Sequence, residues 1–294
     1  MAKGVLENLR AELVYANNAY AEQGTFDPGH DTISFVTIPD LTLSTTILTE
    51  GTPPTAQALS LTTVTLATAQ YGETVEITDV AKVKSPVELV SIATERLSRQ
   101  AAESVDKVVR DVIAASGTPL YALGGSTNVV RSDLASTEIA VGADLIRLAR
   151  TMAKNKIKPF ADGLYRIWCH PSVIYDLQKD TTATTGWRDQ LKYTDPDPLN
   201  KGQIGILNGF RVFEATNGPT FASTTTVYAS IAVGRTKGWA VGDLQTLSVH
   251  HVTPGGDHTD PLAQKEILGY KVNFGAAALS NSYYYRLETA GTTL

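Results

Sequence analysis

The chain has 294 residues, 43 % of them hydrophobic and 19 % charged, enough apolar material for one large core or two modest ones and too much for a disordered polymer. The formal net charge of −5 argues against a general nucleic-acid binder, which carries a basic surplus. A single cysteine, Cys169, excludes an internal disulfide. No run approaches the roughly 20 apolar residues that cross a bilayer, and the N-terminus lacks the apolar core of a secretion signal. These features point to a soluble intracellular protein.

In chain order, Val5 to Ala21 reads as a weak helix with Leu6, Leu9, Leu13 and Ala16 on one side. A turn cluster follows at Gly24–Gly29. From Asp31 to Asp79 the sequence predicts two β-segments joined by a loose tip. The first is Thr32–Ile38, stopped by Pro39; the tip carries Glu50-Gly51-Thr52-Pro53-Pro54. The second, Leu61–Thr78, places Tyr71, Glu73, Val75 and Ile77 on one face. A paired ribbon of this kind is marginal in water by itself, so its apolar positions need cover from elsewhere.

Ser85 to Ser116 reads as one long amphipathic helix. Ser85 is the expected cap, Pro86 the first helical residue and Glu88 the partner in a capping box. Val90, Ala93, Leu97, Ala101, Val105, Val108, Val109 and Val112 form the apolar stripe. Glu95–Arg99, Glu103–Lys107 and Asp106–Arg110 read as surface pairs at i,i+4. Gly117 and Pro119 end the helix.

A Gly/Ser/Asn-rich link at Gly124–Asn128 leads to a helix near Val141–Lys154, whose end is crowded by Lys154, Lys156 and Lys158. That charge suits the helix dipole or contact with phosphates. Tyr165–Cys169 reads as a strand and His170-Pro171 as the start of a third helix. Gly186–Lys201 is loop-like. Ile204–Leu207, Asn208-Gly209 and Phe210–Phe213 read as a hairpin. Strands then continue at Val227–Val233, Trp239–Val241, Leu247–Val252 and Tyr270–Leu279. Tyr283, Tyr284 and Tyr285 suit strand packing and subunit contact.

Catalytic chemistry finds little support. His250, His251, Asp257, His258 and Asp260 lie close together but fit no common zinc spacing. Cys169 next to His170 does not by its position align a thiolate with a base, and Cys169 alternates with Ile167 as a buried residue would. Gly124-Gly125-Ser126 is not a hydrolase elbow. Asp176, Asp180 and Asp189 read as a solvated helix face and loop. The sequence therefore predicts no enzyme, no cofactor and no metal.

Four segments carry a family resemblance: Leu48-Thr49-Glu50-Gly51, Gln70-Tyr71-Gly72, His170-Pro171-Ser172-Val173-Ile174-Tyr175-Asp176-Leu177, and Gly202-Gln203-Ile204-Gly205 followed by Asn208-Gly209-Phe210-Arg211-Val212. Their order resembles the major capsid proteins of tailed bacteriophages, in particular the N-four-type phage coat family. The resemblance implies an α+β chain with the tailed-phage major capsid protein fold. Its parts would be an N-terminal arm (1–28), an extended β-loop (29–80), a peripheral domain (81–135) with a spine helix (86–116), an axial domain (136–234) and a β-rich return to the peripheral domain (235–294).

It further implies a shell-forming protein of the virion, assembled in the host cytoplasm. Its partners would be copies of itself as pentamers and hexamers, a separate scaffolding protein, a portal, and packaged double-stranded DNA held non-specifically on the inner face. A cement protein is left open, and no membrane is involved. The extended loop would lie across an adjacent copy through Ile33, Phe35, Glu50, Leu61, Val64, Leu66 and Val75. The alternatives are an encapsulin-like compartment shell and a non-shell phage component such as a tail or fibre protein.

Overall fold

The computed structural model describes residues 14–17, 19–26, 29–38, 41–123, 130–180, 186, 205–256, 260 and 262–292. Among these, three sheets and four α-helices form. The first sheet has the order β1-β11-β12-β4, with β1 Glu22–Thr25, β4 Ala69–Thr78, β11 Trp239–Val252 and β12 Lys265–Ala278. β1 runs parallel to β11; the other pairs are antiparallel. A two-stranded ribbon, β2 Thr32–Thr37 with β3 Thr62–Ala67, is hydrogen-bonded as a separate sheet and packs on it.

The spine helix, α2 Leu89–Ser116, crosses the first sheet. At about 1.5 Å per residue its 28 residues span roughly 42 Å. Ala93, Leu97, Ala101, Val105, Val109 and Ile113 recur every four positions and pack onto Leu247, Leu268, Tyr270, Val272 and Phe274. The periodicity in the sequence thus becomes the helix–sheet core.

The second sheet has the order β5-β13-β10-β6-β8-β7, with β9 on β10. Its strands are β5 Thr118–Tyr121, β6 Tyr165–Cys169, β7 Ile206–Leu207, β8 Phe210–Glu214, β9 Thr220–Ala222, β10 Thr226–Val233 and β13 Tyr284–Ala290. Helices α3 Gly142–Lys154 and α4 Pro171–Lys179 belong to this half. Leu145, Leu148, Met152, Val173 and Leu177 bury against Ile167, Phe210, Val212 and Leu287. Two aromatic groups join the halves. Trp239, fully buried, donates Nε1–H to the Tyr15 carbonyl at 3.0 Å and meets Tyr284 edge-on; Trp168 packs against Tyr15 and Tyr20.

Several expected elements are placed differently. The spine helix starts at Leu89 with Glu88 as its cap, not at Ser85. A short helix, α1 Asp79–Lys84, precedes it, capped by Thr78, whose Oγ1 accepts the Ala81 N–H. Ser85 closes α1 instead, and its hydroxyl serves Val87. The capping box therefore loses to a helix that the strand pattern ahead of Asp79 concealed.

Of the expected N-terminal helix, residues 1–13 and 18 lie outside the described residues, and 14–16 form bends. The N–H groups of Val14, Tyr15 and Ala16 donate to Asp106 Oδ1 at 3.0, 2.7 and 3.2 Å. A segment that gives its donors to a side chain does not wind them into a helix. Asp106 is correspondingly buried in the spine, not paired with Arg110, which turns to Asp111 and Asn217. The turn cluster at Gly24 begins inside strand β1. The hairpin turn is as expected, with Ile204 outside the described residues and a first strand of Ile206–Leu207 alone: Asn208 and Gly209 take φ of +49° and +88° between β7 and β8, the left-handed pair that a two-residue turn requires.

Candidate assembly surface

Strands β2 and β3 pair in register from Thr32 opposite Ala67 to Thr37 opposite Thr62. Ile33 and Phe35 pack with Leu66 against Phe26, Ala240, Ala277 and Leu279 of the same chain. Glycines make this seat. A Cβ at Gly275 would lie 2.3 Å from the Ala67 carbonyl oxygen, and one at Gly24 would lie 2.8 Å from Ile33 Cδ1. At Thr68 the chain leaves the ribbon, its N–H held by the Asp31 carbonyl at 3.2 Å, and enters β4 of the main sheet.

Beyond the root the arm is bare. Residues 41–61 are all exposed and have no regular secondary structure. Leu41, Leu43, Ile47, Leu48, Leu59 and Leu61 are between 58 % and 92 % exposed. Two local devices shape this tip. Gln57 completes a side-chain bridge to the Thr42 backbone, accepting its N–H at 3.1 Å and donating to its carbonyl at 2.9 Å. Thr52 N–H donates to the Thr49 carbonyl around Gly51, whose φ is +78°.

The seven residues expected to meet a neighbour divide. Glu50 and Leu61 are exposed, and Val64 is half-buried. Ile33 and Phe35 are half-buried on their own chain, and Leu66 is fully buried there. Leu66 thus has no surface left for a neighbour. Val75 belongs to the main sheet and packs at the core beneath the spine helix. The alternating pattern of residues 61–78 runs straight through Thr68, so the sequence does not reveal that the strand changes sheets there. Leu41, Leu43, Ile47, Leu48 and Leu59 are the other large aliphatic residues exposed in the tip; their signal was aliphatic residues scattered in a segment with no strand pattern.

The polar and nucleophilic candidates among the described residues are each engaged elsewhere or dispersed. Cys169 is buried and its thiol is pushed up to about 12 by desolvation. His170 caps α4, its Nδ1 accepting the Ser172 N–H at 3.2 Å, and burial lowers its basicity. His250 lies 3.2 Å from Ser248 Oγ; His251 pairs with the buried carboxylate of Glu266, which also takes Lys82. Asp257 and His258 lie outside the described residues, as do Ser126 and Asp189. Asp260 accepts the Lys265 N–H. Among the described residues no three His, Cys, Asp or Glu side chains gather as a metal site. Asp176, expected on a solvated face, is buried and accepts both N–H and Oγ1–H of Thr292. Among the described residues no helix is long and apolar enough to cross a membrane.

Residues 61–285 match the family described as phage capsid protein. No curated protein sequence matches the chain. Among solved structures it is similar to the capsid of cyanophage Pam1, at 15 % identity and a TM-score of 0.71 over 97 % of this chain and 93 % of that one. The capsid of Ralstonia phage GP4 aligns at 13 % identity and 0.69, over 96 % and 90 %. The capsid of cyanophage P-SCSP1u aligns at 17 % and 0.67, over 92 % and 87 %. Spine helix, arm ribbon and α+β architecture together make the tailed-phage coat fold, and the match over most of the sequence makes this chain a member of the phage capsid protein family, a major capsid protein.

Proposed function

We propose that copies of this protein meet as pentamers and hexamers and close into an icosahedral shell around double-stranded DNA, with the arm of each copy lying over its neighbour. The observation that carries this reading is the tip: twenty-one consecutive exposed residues, 41–61, including six large aliphatic side chains, on a root the chain itself packs. At about 1.5–3 kcal/mol per fully buried aliphatic side chain, covering six yields on the order of 10 kcal/mol before the cost of association. A contact of this kind joins two different patches and is therefore heterologous, the type that closes rings. The region of residues 136–234 is the proposed axial domain at each capsomer centre. A separate scaffolding protein and a portal complete the assembly, which proceeds in the host cytoplasm. The protein has no catalytic role in this reading.

The match to a phage capsid family favours a virion shell over an encapsulin-like compartment, and the long spine helix disfavours a fibre. Deleting residues 41–60 tests the assignment, because none of them belongs to either core. The truncated subunit is expected to keep the thermal midpoint of the intact subunit and to form no closed particles by negative-stain microscopy. Normal shells from the truncated chain would refute the role of the arm.

A further inference from the structure

One surface opposes the overall charge of the chain. Arg150 and Lys154 lie four residues apart on α3, and Lys156 and Lys158 follow in the turn beyond it. Arg235 reaches the same place from the turn after β10, its N–H donating to the Lys158 carbonyl at 2.8 Å. All five are exposed and none has a carboxylate partner among the described residues. The acidic groups bordering them are already engaged: Asp162 holds Arg166 and Arg211 at 2.7 and 3.3 Å, and Glu22 holds Lys237 at 3.2 Å. Helix-dipole complementarity accounts for Lys154, but not for Lys156 and Lys158 beyond the helix or Arg235 on another element. Lys156 also takes φ of +59° in the position after the helix end, where glycine would be relaxed.

The surroundings select the partner. Between residues 131 and 174, and between 207 and 243, no large hydrophobic side chain is exposed among the described residues. A contact between protein copies has an apolar centre and is poor in lysine. A lysine-rich surface with no large apolar side chain exposed fits a hydrated phosphate backbone instead, which needs point charges and no apolar cover. We propose that Arg150, Lys154, Lys156, Lys158 and Arg235 form a sequence-independent contact for the phosphates of duplex DNA, and that this face of the subunit turns toward the interior of the shell. The second half of this inference rests on the shell reading; the first does not.

Two measurements separate them. Binding of a short random-sequence duplex to unassembled subunits is followed against salt, for the native chain and for a variant with Lys154→Gln, Lys156→Gln, Lys158→Gln and Arg235→Gln. The logarithmic salt slope is expected to fall by about 0.9 for each phosphate contact removed. An unchanged slope overturns the contact. Loss of capsomer formation in the variant with an unchanged slope identifies the patch as a surface between copies and also overturns it. In particles, acetylation of Lys154, Lys156 and Lys158 is compared between DNA-filled and emptied shells, with Lys107 as an exposed reference. Protection only in filled shells supports the inward orientation; equal labelling overturns it. If the salt slope falls but the native chain builds no shell, the failure belongs to the shell reading and not to the contact.

Discussion

Asp106 ties three backbone donors of the N-terminal segment to the spine. Burial pushes its carboxyl upward, and the three N–H groups pull it back. Replacing it by alanine leaves those donors buried without acceptors, at about 1–3 kcal/mol each. Asp106→Ala is therefore expected to lower subunit stability by on the order of 3 kcal/mol or more in urea unfolding. His170 supplies a pH dependence. Its folded-state basicity lies below the ordinary histidine value, chiefly through burial and against the nearby Glu214 carboxylate. The unfolded chain then takes the proton first, so this contribution is complete above the unfolded value, near 6.5, and is lost as pH falls through the folded one. The slope cannot exceed about 1.4 kcal/mol per pH unit for one proton. His170→Asn keeps an acceptor at the cap and is expected to flatten that part of the pH profile of the unassembled subunit.

At the scale of elements, helices and hairpins were legible where their own residues decide them. The spine stripe recurs every three or four positions, and Asn208-Gly209 demands the turn it makes. Boundaries set by contacts elsewhere were not legible. Asp106 has the same spacing to Arg110 whether it faces water or the core, and only the arrival of Tyr15 tells which. The strand pattern of residues 61–78 continues across Thr68, yet Leu66 lies in the arm and Val75 in the main sheet. The arm root depends on a flat seat. A valine at Gly275 would place its Cβ 2.3 Å from the Ala67 carbonyl oxygen, where backbone has no room to yield. Gly275→Val is expected to detach the ribbon, seen as faster hydrogen exchange at residues 62–67, while exchange in the spine helix stays unchanged.

At the scale of the molecule, the two cores satisfy the body and leave the arm tip unsatisfied. Stability of the subunit and the proposed closure of the shell by the arm are therefore expected to separate, which is what the deletion of residues 41–60 tests. The basic surface beyond α3 is separable in the same sense, because neutralising it touches no core residue. Of the seven residues picked from the sequence, Glu50 and Leu61 lie in the exposed tip, Ile33, Phe35, Val64 and Leu66 in the ribbon, and Val75 in the main sheet. Alternating aliphatic positions mark a ribbon that seats itself, whereas the exposed ones, Leu43 at 83 % and Ile47 at 92 %, sit where no alternation exists.

Local order along the chain was decided by the sequence alone: an acidic, cysteine-poor α+β protein with a long spine helix, a threonine-rich arm and a β-rich end. Such features depend on residues a few positions apart, and their periods are readable one segment at a time. Tertiary structure decided which strands share a sheet, that β1 lies parallel to β11, that Asp106 and Asp176 turn inward, and how much of the arm is held by its own body. Those outcomes hinge on partners more than ninety residues away, as between Tyr15 and Asp106, and no local period encodes which distant surface arrives to remove water from a side chain.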